Sequence, residues 1–217
     1  MTAKLTDLGF SKGIIAETIV TTCNKEGKPN AAPMGVIMKD EQHIIINLFN
    51  STLTYTNIKT NSCAVINLTK SIEIFYKTAF KETNPGSKLP SEWFEKAKTV
   101  NAPRLRLADA TIEVSITNLV PISADRTQAE CNPELVQAKL KYPQVHCRAM
   151  SQTLEAILHA TRVKALLNNE KEQNHVCKLL EIIANCSDIV NRVAPNSTYS
   201  LIMIDLMKRV DSWQEQK

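Results

Sequence analysis

The chain has 217 residues, enough for one large domain or two small ones with a real core. At 43% hydrophobic and 22% charged residues it has an ordinary globular balance, and no apolar run approaches the ~18 residues of a membrane span. The formal charge of +4 comes without a long Lys/Arg run, so electrostatics give no ground for nucleic-acid binding and fit a small anionic ligand equally well. The opening Met1-Thr2-Ala3-Lys4 lacks the apolar core of a signal peptide. Six cysteines (Cys23, Cys63, Cys131, Cys147, Cys177 and Cys186) are scattered without a CxxC pair. The expectation is a cytoplasmic, reduced protein.

Strand signals dominate the first half. Ile14 to Thr22 is β-branched and partly alternating, which predicts a strand. Asn24 to Lys28 carries turn chemistry, with Gly27 placed for positive φ. A second strand runs from Pro29 to Met38, with a break expected at Pro33-Met34-Gly35. After a turn at Lys39 to Gln42, a third strand covers His43 to Phe49. A short helix around Tyr55 to Lys59 precedes a fourth strand, Cys63 to Thr69. Ser71 to Phe80 reads as helix, and Lys81 to Asn101 as a polar loop with one helical turn at Pro90 to Phe94. Strands resume across Arg104 to Val120. Five or six strands in meander order predict a small antiparallel barrel.

The pattern changes after Pro121. Asn132-Pro133-Glu134-Leu135 has the chemistry of a helix start, with Asn at the cap and Pro at the first helical position. Ser151 to Asn168 carries an apolar face at Leu154, Ile157, Leu158, Thr161 and Ala165. Two more helices are marked by Val176, Leu179, Leu180, Ile183 and Val190, and by Tyr199, Ile202, Met203, Leu206 and Val210. The fold class is therefore mainly β with appended α: a barrel over residues 1–122 and a helical subdomain over 123–217, expected to pack on the barrel.

The residues from Asn50 to Asn57 form a loop rich in hydroxyls and amides, leading into a short helix. Ser51, Thr52, Thr54 and Thr56 offer hydroxyls beside the free N–H groups of a helix start, a suitable place for a phosphate. Asn67 is an anomaly inside the apolar run Val65-Ile66-Asn67-Leu68, because a half-buried amide needs a partner. The plainer alternative is that Ser51 to Thr54 only caps a helix and Asn67 bonds a neighbouring strand.

Beyond these spacings, Glu17 to Thr22, Gly27 to Val36, Leu48 to Asn57 and Val65 to Thr69 together resemble an FMN-binding split barrel. They are similar to the flavin reductase and flavoredoxin group, and most to an uncharacterised family of archaea and methylotrophic bacteria called domain of unknown function four-four-seven. Glu155 to Arg162 resembles that family's second half. The resemblance implies a flavoprotein, an FMN-binding split β-barrel with a C-terminal helical subdomain, usually a homodimer with FMN near the interface. Ser51, Thr52 and Thr54 would then meet the phosphate, with Asn57 near the helix start. The backbone of Pro33, Met34, Gly35 and Val36 would face the isoalloxazine edge, and Asn67 and Thr69 would border the ring or ribityl chain. One departure is plain: Asn50 to Tyr55 has no cation. Lys59, Arg104, Arg106 or a partner subunit are the candidates to supply one.

Glu155, His159 and Arg162, at i, i+4 and i+7, share a helix face. They form either a substrate or anion edge or an ordinary solvated salt-bridge face. His43, His146 and His175 lack metal-ligand spacing, with His146-Cys147 and His175 with Cys177 the nearest approaches, so no metal is expected. Hydrolase, P-loop and Rossmann signatures are missing. The functional expectation is an oxidoreductase passing electrons between FMN and a small molecule. The alternative is a non-catalytic flavin- or ligand-binding module accessory to pterin-type cofactor biosynthesis.

Overall fold

The computed structural model describes residues 3–139 and 147–215. The chain forms two compact units, Met1–Lys70 with Lys81–Tyr142, and Ser71–Phe80 with Pro143–Lys217. The first is a closed six-stranded barrel built from β1 (Ile15–Cys23), β2 (Pro29–Asp40), β3 (His43–Phe49), β4 (Cys63–Leu68), β7 (Ala110–Pro121) and β8 (Arg126–Ala138), in the order β1-β2-β3-β8-β7-β4. All pairings are antiparallel. The helix α1 (Leu53–Asn61) links β3 to β4, and a two-stranded sheet of β5 (Phe94–Lys96) and β6 (Pro103–Leu105) completes the unit.

Alternation builds the barrel interior. Val20, Val36, Met38, Ile44, Ile46, Leu48, Ala64, Ile66, Ile112, Val114, Ala129 and Cys131 form one core, and Ile58 of α1 joins it. Fully burying one such side chain contributes about 1.5–3 kcal/mol, so the register is strongly specified. The opposite face of β4 places Cys63 and Val65 against Ala97 and Ala102 of the segment between β5 and β6.

The second unit contains α2 (Ile72–Ala79), α3 (Arg148–Leu166), α4 (Gln173–Val193) and α5 (Thr198–Glu215). Val176, Leu179, Ile183, Cys186 and Val190 bury one stripe of α4, and Ile202, Met203, Leu206 and Val210 one stripe of α5. Tyr76 donates to Asp205, while Arg209 donates to both the Tyr76 hydroxyl at 2.9 Å and Asp205 at 2.8 Å. Burial and the Asp205 carboxylate push the Tyr76 phenol well above its usual range, so it stays a donor.

Three sequence expectations are corrected. The helix start at Asn132 to Leu135 is part of β8, where Leu135 faces Glu113 and Pro133 faces Val114. Pro133 thus sits beside a register shift, where a missing N–H is tolerated, and pairing overrides the local helix signal. The barrel therefore continues past residue 122, and Ser71–Phe80 joins the helical unit. The strands expected across Arg104 to Val120 are β6 and β7, separated at 106–109. Finally, the buried face of α3 is Ala149, Thr153, Ala156, Ile157, His159, Ala160 and Val163, while Ala165 is exposed.

Candidate functional site

Register creates the site. β2 pairs with β1 along its length from Pro29 to Ile37, but with β3 only from Val36 to Asp40. Beyond that point β3 stays with β8, from Ile44 to Phe49, and its chain passes into α1. Among the described residues, Pro29 to Gly35 therefore has no strand on its second side. At about 3.3 Å per residue, Asn30 to Gly35 offers roughly 17 Å of open strand edge. The expected break at Pro33-Met34-Gly35 is corrected accordingly. The strand is continuous, with Pro33 opposite Ile19, and the freedom lies along its unpaired side.

Along this edge Pro33, Met34 and Gly35 are half-buried, and the Met34 carbonyl accepts from Thr18 Oγ1 at 2.9 Å. A Cβ on Gly35 would lie 2.8 Å from Cγ2 of Ile15 on the paired strand β1, so the lack of a side chain here makes room for that neighbour. Val36 is fully buried in the barrel core and has strands on both sides, opposite Ala16 and Ile46, so it closes the open edge.

At the far end of the edge α1 begins. Thr52 is its N-cap: Oγ1 accepts from the Tyr55 N–H at 3.2 Å and donates to the Phe49 carbonyl at 2.8 Å. Ser51 is exposed. Thr54 and Asn57 are buried under the first turns. Thr22 Oγ1 accepts from Asn57 Nδ2 at 3.0 Å and Asn30 Nδ2 at 3.4 Å, and Asn30 Nδ2 also reaches Thr54 Oγ1 at 3.1 Å. Lys81 Nζ donates to Asn30 Oδ1. Burial pulls the Lys81 ammonium below the ordinary lysine value, and among the described residues no carboxylate offsets that effect.

Asn67 belongs to a different network. Fully buried, it donates to the carbonyls of Ile19 at 2.9 Å and Val65 at 3.1 Å and to Thr21 Oγ1 at 2.9 Å. Its Oδ1 accepts from the Leu105 N–H at 2.7 Å, so its amide ties β1, β4 and β6 together. The neighbouring Glu113, also fully buried, accepts from the N–H groups of Lys98 and Thr99 and from the Thr99 hydroxyl at 2.6–3.0 Å. Burial alone would raise its pKa; those hydrogen bonds and the Arg104 charge outweigh it, and the carboxyl lies below the ordinary glutamate value. Thr69 follows β4 and is half-buried.

The cation candidates are likewise sorted by structure. Arg104 and Arg106 both pair with Glu95, at 2.9 and 3.3 Å, and Arg104 also donates to Gln137. Lys59 is exposed, 6.0 Å from the Tyr55 ring centroid. Lys81 is the charged residue that the sequence reading missed. No spacing signal could have found it, because its partner Asn30 lies 51 residues away.

In the helical unit His159 Nε2 pairs with Glu155 at 2.9 Å, while Arg162 is exposed and bonds to neither. The expected three-residue row is therefore a pair. No group of three or more potential metal ligands occurs among the described residues; His146 lies outside them. No described helix is long and apolar enough to cross a membrane.

Residues 16–142 match the model of a protein family of unknown function, the DUF447 N-terminal domain. The chain belongs to that family. An FMN-bound member from Methanosarcina mazei, MM1853, superposes with a TM-score of 0.76 at 26% identity, covering 95% of this chain and 99% of that one. A flavoredoxin from Methanosarcina acetivorans shares the barrel fold, at a TM-score of 0.50 and 17% identity over 60% of this chain and 72% of its own. The uncharacterised protein MJ1453 of Methanocaldococcus jannaschii is 39% identical over 61 residues, which span 28% of this chain and 31% of that relative. The six-stranded unit thus has the split-barrel fold.

Proposed function

We propose that this DUF447 protein binds FMN along the open edge of β2, with the phosphate at the start of α1, and acts as an oxidoreductase. The supporting observation is the near-complete superposition on the FMN-bound Methanosarcina mazei member. The residues present fit the cofactor. The start of α1 offers the hydroxyls of Ser51 and Thr54 and its unpaired N–H groups, while Thr52 gives its one hydroxyl hydrogen to the Phe49 carbonyl. Pro33, Met34 and Gly35 would lie along the ring, with Val36, flanked by strands on both sides, at the closed end of the edge. Asn57 and Asn67 would act indirectly, by fixing α1 and the β1–β4 seam, because their amides are already engaged. When bound, FMN supplies the reversible electron chemistry, and the protein contributes orientation and electrostatics.

The purified protein should carry flavin absorbance through gel filtration, and NADH or NADPH should bleach it anaerobically. A colourless protein that ignores added FMN would overturn the reading. Retained flavin that neither nicotinamide nor an artificial donor reduces would leave a binding module rather than an oxidoreductase. A homodimer is part of the proposal, and the elution volume in the same run tests it.

A further inference from the structure

We propose that Lys81, from outside the hydroxyl-rich loop, supplies the positive charge that holds the ligand's phosphate; this rests on the FMN reading above. The loop Asn50 to Tyr55 contains no charged side chain, so its hydroxyls and helix N–H groups would face a dianionic phosphate with partial charges alone. Lys81 is partly buried, and among the described residues its ammonium has one hydrogen-bond partner, the neutral acceptor Asn30 Oδ1. An ammonium has three donors, so two are left over. The other end of the same Asn30 amide reaches Thr54 Oγ1 in the first turn of α1, which places the cation two hydrogen bonds from the helix start.

A buried charge is normally paired, and a lysine serving only to anchor Asn30 could be replaced by a neutral donor without the cost of desolvation. Among the described residues no carboxylate pairs with Lys81, and burial shifts its ammonium with no opposing charge. The arrangement is an electrostatic half-site. A phosphate monoester seated at the start of α1 would complete it, and Asn30 would hold the lysine ready in the meantime.

The test compares FMN with riboflavin, which lacks the phosphate, on the wild type, Lys81→Met and Lys81→Arg. Binding is read by quenching of flavin fluorescence, and folding by thermal melting. The wild type should prefer FMN. Lys81→Met should lose about 10- to 100-fold in FMN affinity, the range of a charge-assisted hydrogen bond, with riboflavin affinity unchanged. Lys81→Arg should keep most of the preference. Equal FMN affinity in Lys81→Met and the wild type would overturn the assignment. So would a parallel loss of FMN and riboflavin, which marks a purely structural lysine. A wild type that binds neither flavin would instead sink the FMN reading itself, and this inference with it. Should Lys81→Met fail to fold, Lys81→Arg and inorganic phosphate decide. Phosphate should compete with FMN but not with riboflavin on the arginine variant, and equal competition against both contradicts the proposal.

Discussion

Two polar networks sit in this barrel, and they differ in whether they are finished. Around Asn67 and Glu113 the described hydrogen bonds all run within the protein: Asn67 uses both its amide hydrogens and its oxygen, and Glu113 spends its carboxylate on one turn of chain. Around Thr54 and Asn30 the network ends on Lys81, a partly buried cation whose one ammonium partner among the described residues is neutral. A buried polar residue thus points to a ligand when its own neighbours leave it incomplete. Asn67 is the more conspicuous residue in the sequence, and Lys81 the more informative one in the structure.

The comparison can be broken most forcefully at the finished network. Asn67→Ala would strand the Leu105 N–H and three acceptors, and should destabilise the barrel unit by about 2–4 kcal/mol, read from urea unfolding. FMN affinity of the protein that remains folded should not change. A flavin-specific loss with normal stability would return Asn67 to the cofactor site.

Glu113→Gln should cost about 1–3 kcal/mol at neutral pH, because a carboxylate accepting several N–H and O–H bonds is replaced by an amide with donors of its own. The pH dependence has a definite sign. The folded pKa of Glu113 lies below its ordinary value of 4.5, so its contribution is present above that value and is lost as the pH falls through the lower folded one. The variant should therefore show a shallower acid loss of stability between neutrality and that window. An unchanged acid limb in the melting series would contradict the role.

The unfinished network should respond in the opposite way. Thr54→Val removes one of two acceptors for Asn30 and a hydroxyl at the helix start, at a cost of about 1 kcal/mol in stability and about 3- to 10-fold in FMN affinity. Unchanged affinity would remove Thr54 from the phosphate site. The smallest effect is expected at Arg162→Ala. This exposed residue bonds to neither Glu155 nor His159, and flavin titration and melting should both stay at wild-type values, within about 0.5 kcal/mol. Altered turnover of the FMN-loaded protein would instead give that helix face a substrate role.

How far the sequence was legible follows from the range of the interactions that decide each element. β1, β3 and the short helix after Asn50 are locally determined, through β-branched alternation and a threonine cap, and each is found where its residues predict it. β8 is not, because Asn132-Pro133 carries a real helix-start signal that only its pairing with β7 overrides. The split between β2 and β3 is a property of register, and no single segment encodes it. The loop before α1 could be read as an anion site, and its lack of a charge could be seen. The source of that charge could not, since Lys81 follows an apolar helix and meets Asn30 only through the tertiary fold. Asn67 shows the converse: its oddity was visible, but whether protein or ligand satisfied it was not.

Amide hydrogen exchange of the protein with and without saturating FMN tests the central claim most directly, because it reads both networks in one experiment. Added protection is expected in the peptides covering residues 29–36, 50–57 and 81, with little change across 97–113. Protection concentrated across 97–113, or none at 50–57 while FMN is bound, would contradict it.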